Sequence, residues 1–209
     1  MAWRLRACLW QSREELVLVK DLSSQDAAFP SANVQLVEIT DAYASQLAEF
    51  NAAHRDAAAA RRVAHYLRHG YQGFLGIRNG RIIGYQWWVD NSFDSSCTHP
   101  HVDRYSIGLE DGDVYGFDYY VAPEYRGGGT GTAFFGDIQD RLRRYGYRRM
   151  WGVVFRSNIA ARWLYSLYDH KTVRHVKSCV LFSFLLFSEG SVFLRRRSID
   201  YRRLIDFRA

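Results

Sequence analysis

Arg126-Gly127-Gly128-Gly129-Thr130-Gly131 puts four glycines into six residues, between the strand-like run Tyr115 to Val121 and the helix-like run Thr132 to Tyr145. A strand, a glycine-rich turn and a helix start constrain a fold strongly. Glycines let the backbone turn with its N–H groups pointing inward, and the helix start adds free N–H groups and a partial positive charge. Such a nest suits an anion, and its natural ligand is a phosphate or pyrophosphate.

Three phosphate-binding patterns can be tested on the letters. A Walker loop ends in Gly-Lys-Ser/Thr, whereas Gly131 is followed by Thr132 and Ala133. A dinucleotide fingerprint needs Gly-x-Gly-x-x-Gly, and after Gly129-Thr130-Gly131 the third glycine's place is taken by Phe134. A kinase loop needs a downstream His-Arg-Asp with an Asn five residues after the Asp. His54-Arg55-Asp56 lies upstream and has Arg61 at that position.

The pattern along the chain is mixed α/β. Leu16 to Val19 and Gln35 to Ile39 read as strands by apolar content and alternation. Thr40 or Asp41 caps a helix with Tyr43, Leu47 and Phe50 on its apolar side, and the alanine-rich Asn51 to His69 reads as helix ending at Gly70. Asn79-Gly80 between two apolar runs predicts a hairpin over Gln72 to Asp90. Asn91 to Asp113 is a long polar connection with room for a short strand around Tyr105 to Leu109. Val114 to Val121 is the central strand, followed by the glycine loop and a helix with Phe134, Phe135, Ile138, Leu142 and Tyr145 at helical spacing. Met150 to Phe155 is the next strand, Asn158 to Tyr168 the next helix, and Val173 to Val176 with Val180 to Phe187 a closing hairpin.

A chain of 209 residues is long enough for one full core. It reads as a single domain over 1–209, with residues 1–34 as a strand and loop extension. No apolar run approaches the roughly 20 residues of a membrane helix, and the apolar part of Met1 to Trp10 is too short for a secretory signal. Cys8, Cys97 and Cys179 are far apart and odd in number, which points to neither a disulfide framework nor a zinc site, so a cytoplasmic setting is the default. The net charge of +6 suits an acidic small molecule. The arginines of Arg141 to Arg149 and Arg195 to Arg208 lack the aromatic interleaving or module that nucleic-acid binding requires.

Arg126, Gly129 and Gly131 fit Arg-x-x-Gly-x-Gly. With Val121-Ala122-Pro123-Glu124-Tyr125 before them, they resemble the acyl-CoA-binding signature of the GNAT superfamily of N-acyltransferases. Asn158, Ala161 and Tyr165 resemble that family's Asn-x-x-Ala-x-x-x-Tyr on the next helix. The resemblance covers about residues 71–184 and departs at Asp169-His170, where the family usually has Gly-Phe. It implies a GNAT-type α/β fold, a central twisted mixed sheet flanked by helices. It also implies acyl transfer from acetyl-CoA, as co-substrate and without a metal, to a primary amine. Compatible acceptors are a small molecule, a protein N-terminus or a lysine. A non-catalytic acyl-CoA-binding module and a homodimer are also compatible.

The resemblance further implies that the CoA pyrophosphate lies over the backbone of Arg126, Gly127, Gly128, Gly129, Thr130 and Gly131. The pantetheine arm adds strand-like along Tyr119 to Val121, and Asn158 lines the same site. A strand N–H near Val121 polarises the thioester carbonyl. Asn158, Ala161 and Tyr165 fall on one helical stripe, which makes Tyr165 the general acid for the leaving sulfur. Two candidates exist for the base: Asp118, which alternation places with Tyr120 and opposite Phe117, Tyr119 and Val121, and His101 of the run His99-x-His101-x-Asp103. Asp118 is equally suited to holding a loop. Tyr85-Gln86-Trp87-Trp88 and the Asn91 to Asp113 segment are expected on the acceptor side, and those aromatics suit a core equally well.

Overall fold

In a computed structural model the described residues are 10–23, 33–92, 99–181, 184–188 and 192–196. They fall into two compact units. One is Lys20–Gly152, and the other holds the residues before and after it.

The first unit is built on the strands β2 (Gln35–Glu38), β3 (Gln72–Arg78), β4 (Arg81–Asp90) and β5 (Asp113–Val121), and on β6 (Arg149–Phe155), whose last three residues belong to the other unit. Neighbours pair in that order, antiparallel except for the parallel pair β5–β6. The β3–β4 hairpin turns at Asn79 (φ 52°) and Gly80 (φ 74°), as the Asn-Gly signal requires. Its helices are α1 (Ala44–His54), preceded by a 3₁₀ turn at Asp41–Tyr43, α2 (Ala57–Arg68), α3 (Pro100–Arg104) and α4 (Thr130–Arg144).

The two faces of this sheet carry different helices. Phe50 of α1 and Tyr66 of α2 pack on Tyr85, Trp87 and Phe117, with ring centroids 5.2–6.0 Å apart. On the other face Phe134 and Phe135 of α4 meet Tyr119, at 5.7 and 5.2 Å. Asp113, nearly fully buried, takes Nε and Nη2 of Arg149 at 2.6 and 2.8 Å and so pins the start of the β5–β6 ladder. That ladder covers only Asp113–Tyr115 against Arg149–Trp151.

Several features differ from the sequence expectations. The helical stretch predicted from Asn51 to His69 is broken at Arg55. Asp56 starts α2 afresh, its carboxylate accepting from Ala59 N at 2.8 Å. The strand expected around Tyr105 to Leu109 is absent, and the ordered element is α3, with Pro100 at its first position. Most important, β5 carries a bulge. Tyr85 faces Tyr120 and Trp87 faces Phe117, so Gln86 alone opposes both Asp118 and Tyr119, and Asp118 has φ 45°. Simple alternation therefore fails. Phe117 and Asp118 both lie on the α1–α2 face, instead of on opposite faces.

In the second unit β1 (Trp10–Asp21, its last two residues counted with the first unit), far longer than the predicted Leu16 to Val19, pairs antiparallel with β7 (Lys171–Leu181). Strands β8 (Phe184–Ser188) and β9 (Val192–Arg196) continue this antiparallel order. The helix α5 (Ile159–Leu167) precedes β7. Leu16, Val17 and Val176 are buried here, and Arg156 closes an ion pair with Glu14 at 2.6 Å.

Candidate active site

The glycine loop has the backbone of an anion nest. Gly128 (φ 64°) and Gly129 (φ 79°) are left-handed, which an L side chain rarely adopts. Gly129 is the N-cap of α4, no side chain caps that helix, and its first turn has no acidic residue. Gly127, Gly128 and Gly129 are exposed, and a Cβ added at any of them would meet nothing within 4 Å. The backbone is thus open to a ligand, and the N–H groups of the first helical turn face no acidic side chain from that turn itself. These features fit a pyrophosphate.

The loop is anchored from β5. Tyr119 donates its hydroxyl to Gly131 O at 2.5 Å, and Arg126 donates Nε to Val121 O at 2.9 Å. The Arg126 guanidinium lies 5.3 Å from the Tyr120 ring centre. Its side chain is therefore tied to the strand, and its backbone N–H donates to Pro123 O at 3.2 Å.

On the α1–α2 face the bulge is held by charge. Arg55 Nη1 donates to Asp118 Oδ1 at 2.8 Å and to the Tyr85 hydroxyl. Arg62 Nε lies 4.0 Å from Asp118 Oδ2, and both side chains are almost out of solvent. The Tyr85 hydroxyl in turn donates to Asn51 Oδ1 at 2.9 Å. Arg55 also covers the Tyr120 ring at 4.7 Å, while the Tyr120 hydroxyl donates to His54 O at 2.7 Å. Arg55, Arg62 and Asn51 are missing from the sequence-based site. The available signal was Asp56, whose type suits an N-cap and marks the corner that turns Arg55 inward.

His101 sits beneath the same face, its Nδ1 2.8 Å from the Tyr115 hydroxyl. Burial, reinforced by Arg104, pushes its imidazole down to about 3. His99 packs its ring 4.1 Å from Phe117, and burial, then His101 and Arg104, holds it well below its ordinary value. Tyr85, Gln86, Trp87 and Trp88 are all buried, so this run is core and not an acceptor surface. Among the described residues no group of three or more His, Cys, Asp or Glu is suited to hold a metal ion, and no helix is long and apolar enough to cross a membrane.

In the second unit Asn158 caps α5, its Oδ1 accepting from Ala161 N at 3.0 Å. Along the predicted stripe Asn158 is exposed, Ala161 half-buried and Tyr165 buried. Burial pushes the Tyr165 phenol up to about 12. Trp163 and Ile159 point the other way, at 59% and 75% exposure.

Residues 37–167 match the family model described as acetyltransferase (GNAT) family, a stretch that runs through both units. None of the curated proteins matches the chain. Solved structures share its fold at low identity. A functionally unknown conserved protein from Staphylococcus epidermidis aligns with TM-score 0.60 and 12% identity, over 90% of this chain and 66% of that one. An N-acetyltransferase from Sphaerobacter thermophilus aligns with TM-score 0.57 and 15% identity, over 87% and 56%. A GNAT-family protein from Novosphingobium aromaticivorans gives 0.53 and 12%, over 87% and 66%. The chain thus spans between about half and two thirds of the length of these structures. The solved structures show that the chain shares their mixed α/β fold. The family match covers well over half of the sequence and includes the glycine loop, β5 and Tyr165, and on that ground the chain belongs to the acetyltransferase (GNAT) family.

Proposed function

We propose that this chain transfers an acetyl group from acetyl-CoA to the primary amine of a small-molecule acceptor, acting as one acyltransferase domain over 1–209. The observation that carries the reading is the exposed, uncapped glycine nest at the start of α4. When bound, acetyl-CoA supplies an activated thioester. The chain's own residues supply the rest. Backbone N–H groups of Gly127 to Gly131 hold the pyrophosphate. The β5 backbone from Tyr119 to Val121 takes the peptide-like arm as an added strand, and an N–H near Val121 polarises the carbonyl.

Asn158 fixes the first turn of α5 and supports the helix that carries Tyr165. Tyr165 is the group we assign to donate a proton to the leaving sulfur. A phenol is protonated near neutral pH. Burial, which pushes this one up to about 12, makes the transfer to a thiolate of conjugate acid ~8.5 uphill, so the donation must be concerted with departure of the sulfur. An alkylamine of pKa ~10 must lose a proton before attack. We assign that step to neither sequence candidate. Asp118 is engaged by Arg55 and Arg62 and keeps the loop-holding role. His101, at about 3, binds a proton too weakly to serve as a base near pH 7. The acceptor side is assigned to the segment between β4 and β5, of which residues 91–92 and 99–112 are described.

The test is a thermal shift. Acetyl-CoA at a hundred times its Kd stabilises wild type by about 2.7 kcal/mol. Gly129→Glu places a like charge and a side chain in the nest and abolishes the shift. An equal shift in wild type and variant would remove the basis of the reading.

A further inference from the structure

The sequence departs from the family pattern immediately after α5, and the structure shows what the departure does. Asp169 takes φ 55°, the left-handed turn that a glycine ordinarily fills, and Asp is among the residues that tolerate it. His170 then turns back on the helix. Its backbone N–H donates to Tyr165 O at 3.0 Å, and its imidazole lies edge-to-face on the Tyr165 ring, with centroids 4.7 Å apart at 84°. Both side chains are buried, at 8% exposure each. Edge-to-face contact is the attractive geometry for two such rings. One residue thus fixes both the carbonyl and the ring of Tyr165.

We infer that His170 is a positioning residue for the Tyr165 phenol, holding the ring in one orientation so that its hydroxyl is presented consistently to the leaving group. The inference rests on the reading of Tyr165 as general acid. A proton donor works only within hydrogen-bond reach of its target, and a misplacement of about 1 Å costs as much as 10²-fold in rate. A ring that lost its neighbour would sample orientations that are not productive.

The experiment uses the full chain with two variants. His170→Leu keeps the volume but loses the planar ring, and His170→Phe keeps the ring but loses the nitrogens. Tyrosine labelled with ¹³C at Cζ gives one resonance per phenol, and Tyr165→Phe identifies the one that matters. In wild type that resonance is expected to be narrow and to titrate above the ordinary phenol range, as burial directs. In His170→Leu it broadens and moves, and in His170→Phe it returns to the wild-type shape.

Turnover is read with acetyl-CoA and the best acceptor from a panel of primary amines, by thiol release. His170→Leu lowers kcat about tenfold, with KM for acetyl-CoA within twofold, and His170→Phe restores kcat. An unchanged Tyr165 resonance in His170→Leu would overturn the proposal. So would a failure of His170→Phe to restore kcat, because the imidazole would then act chemically. A Tyr165→Phe variant with full kcat sinks the general-acid reading itself, an outcome distinct from either.

Discussion

Two neighbouring features, the glycine loop after β5 and the bulge within it, solve opposite problems. Beyond the strand's C-terminal end the glycine loop is open: Gly127, Gly128 and Gly129 have nothing within reach of an added Cβ, and the backbone is exposed. Three residues before the strand ends, the bulge at Asp118 is closed, held by Arg55 and Arg62 against the α1–α2 corner. Across the strand pair the closure is tighter still. A Cβ on Gly84 would stand 2.4 Å from Tyr120 O, inside van der Waals contact with backbone. The loop is shaped to receive something else, and the bulge is shaped to keep its own chain in place. A substitution in the loop should therefore cost binding and little stability, and one at the bulge should cost stability first.

The largest effect tests that division directly. Arg55→Leu leaves the Asp118 carboxylate without its closest cation and the Tyr85 hydroxyl without its donor. Removing one partner of a buried pair costs 3–5 kcal/mol, and the residual exposure of these two side chains places the expected loss near the lower end, at about 3 kcal/mol. Gly129→Glu, in the exposed loop, should cost about 1 kcal/mol for its left-handed backbone. Urea unfolding of the two variants measures both. Equal losses would show that the loop and the bulge are not separate devices.

This contrast also explains what the sequence disclosed. The loop was legible because its chemistry resides in residue types. Glycines at fixed spacing, a helix start and Asn158 with Tyr165 seven residues on leave few alternatives. The β3–β4 hairpin was legible for the same reason, through Asn79-Gly80. The bulge was not. A bulge whose left-handed residue is Asp118 instead of glycine carries no mark in the letters, and strict alternation put Phe117 on the wrong face. The corner between α1 and α2 was hidden by its alanines, whose helix propensity outweighed Asp56 as a stop-and-restart signal. His99-Pro100 did carry a helix-start signal, a proline at the first helical position, but its polar surroundings read as loop.

Acid should find the closed face before the open one. His99 and His101 both lie under β5 on the α1–α2 side, and both are held below the ordinary imidazole value by burial. A group with a depressed folded value gives its full contribution above its unfolded value of ~6.5. As pH falls below that, the unfolded chain takes up protons that the folded chain refuses, and stability is lost progressively until the folded value, about 3 for His101, is reached. Each imidazole is worth up to about 1.4 kcal/mol per pH unit. Between pH 7.5 and 5.5 the pair should therefore cost about 2 kcal/mol, allowing for partial solvent access at His101. Urea melts at the two pH values measure the loss, and the double variant His99→Gln, His101→Gln should remove most of it. A wild-type stability that is flat over this range would mean that these rings are hydrated.

The smallest effect concerns the residue that the bulge leaves unmatched. Gln86 stands alone opposite Asp118 and Tyr119, on the face away from α1 and α2. It is fully buried, its Nε2 would lie 2.6 Å from a Cβ on Gly116, and neither amide atom has a hydrogen-bond partner among the described residues. An unpaired buried amide costs about 1–3 kcal/mol per group. Its packing, by contrast, is shared with any side chain of that length. Gln86→Met keeps the length and removes both polar atoms. It is expected to leave stability unchanged or to raise it by about 1 kcal/mol, with the acetyl-CoA thermal shift intact. Gln86→Ala, which opens a cavity under the bulge, should instead lose about 2 kcal/mol. If Gln86→Met is as damaging as Gln86→Ala, the amide is satisfied by ordered water in solution, and the bulge of β5 is a hydrated polar site after all.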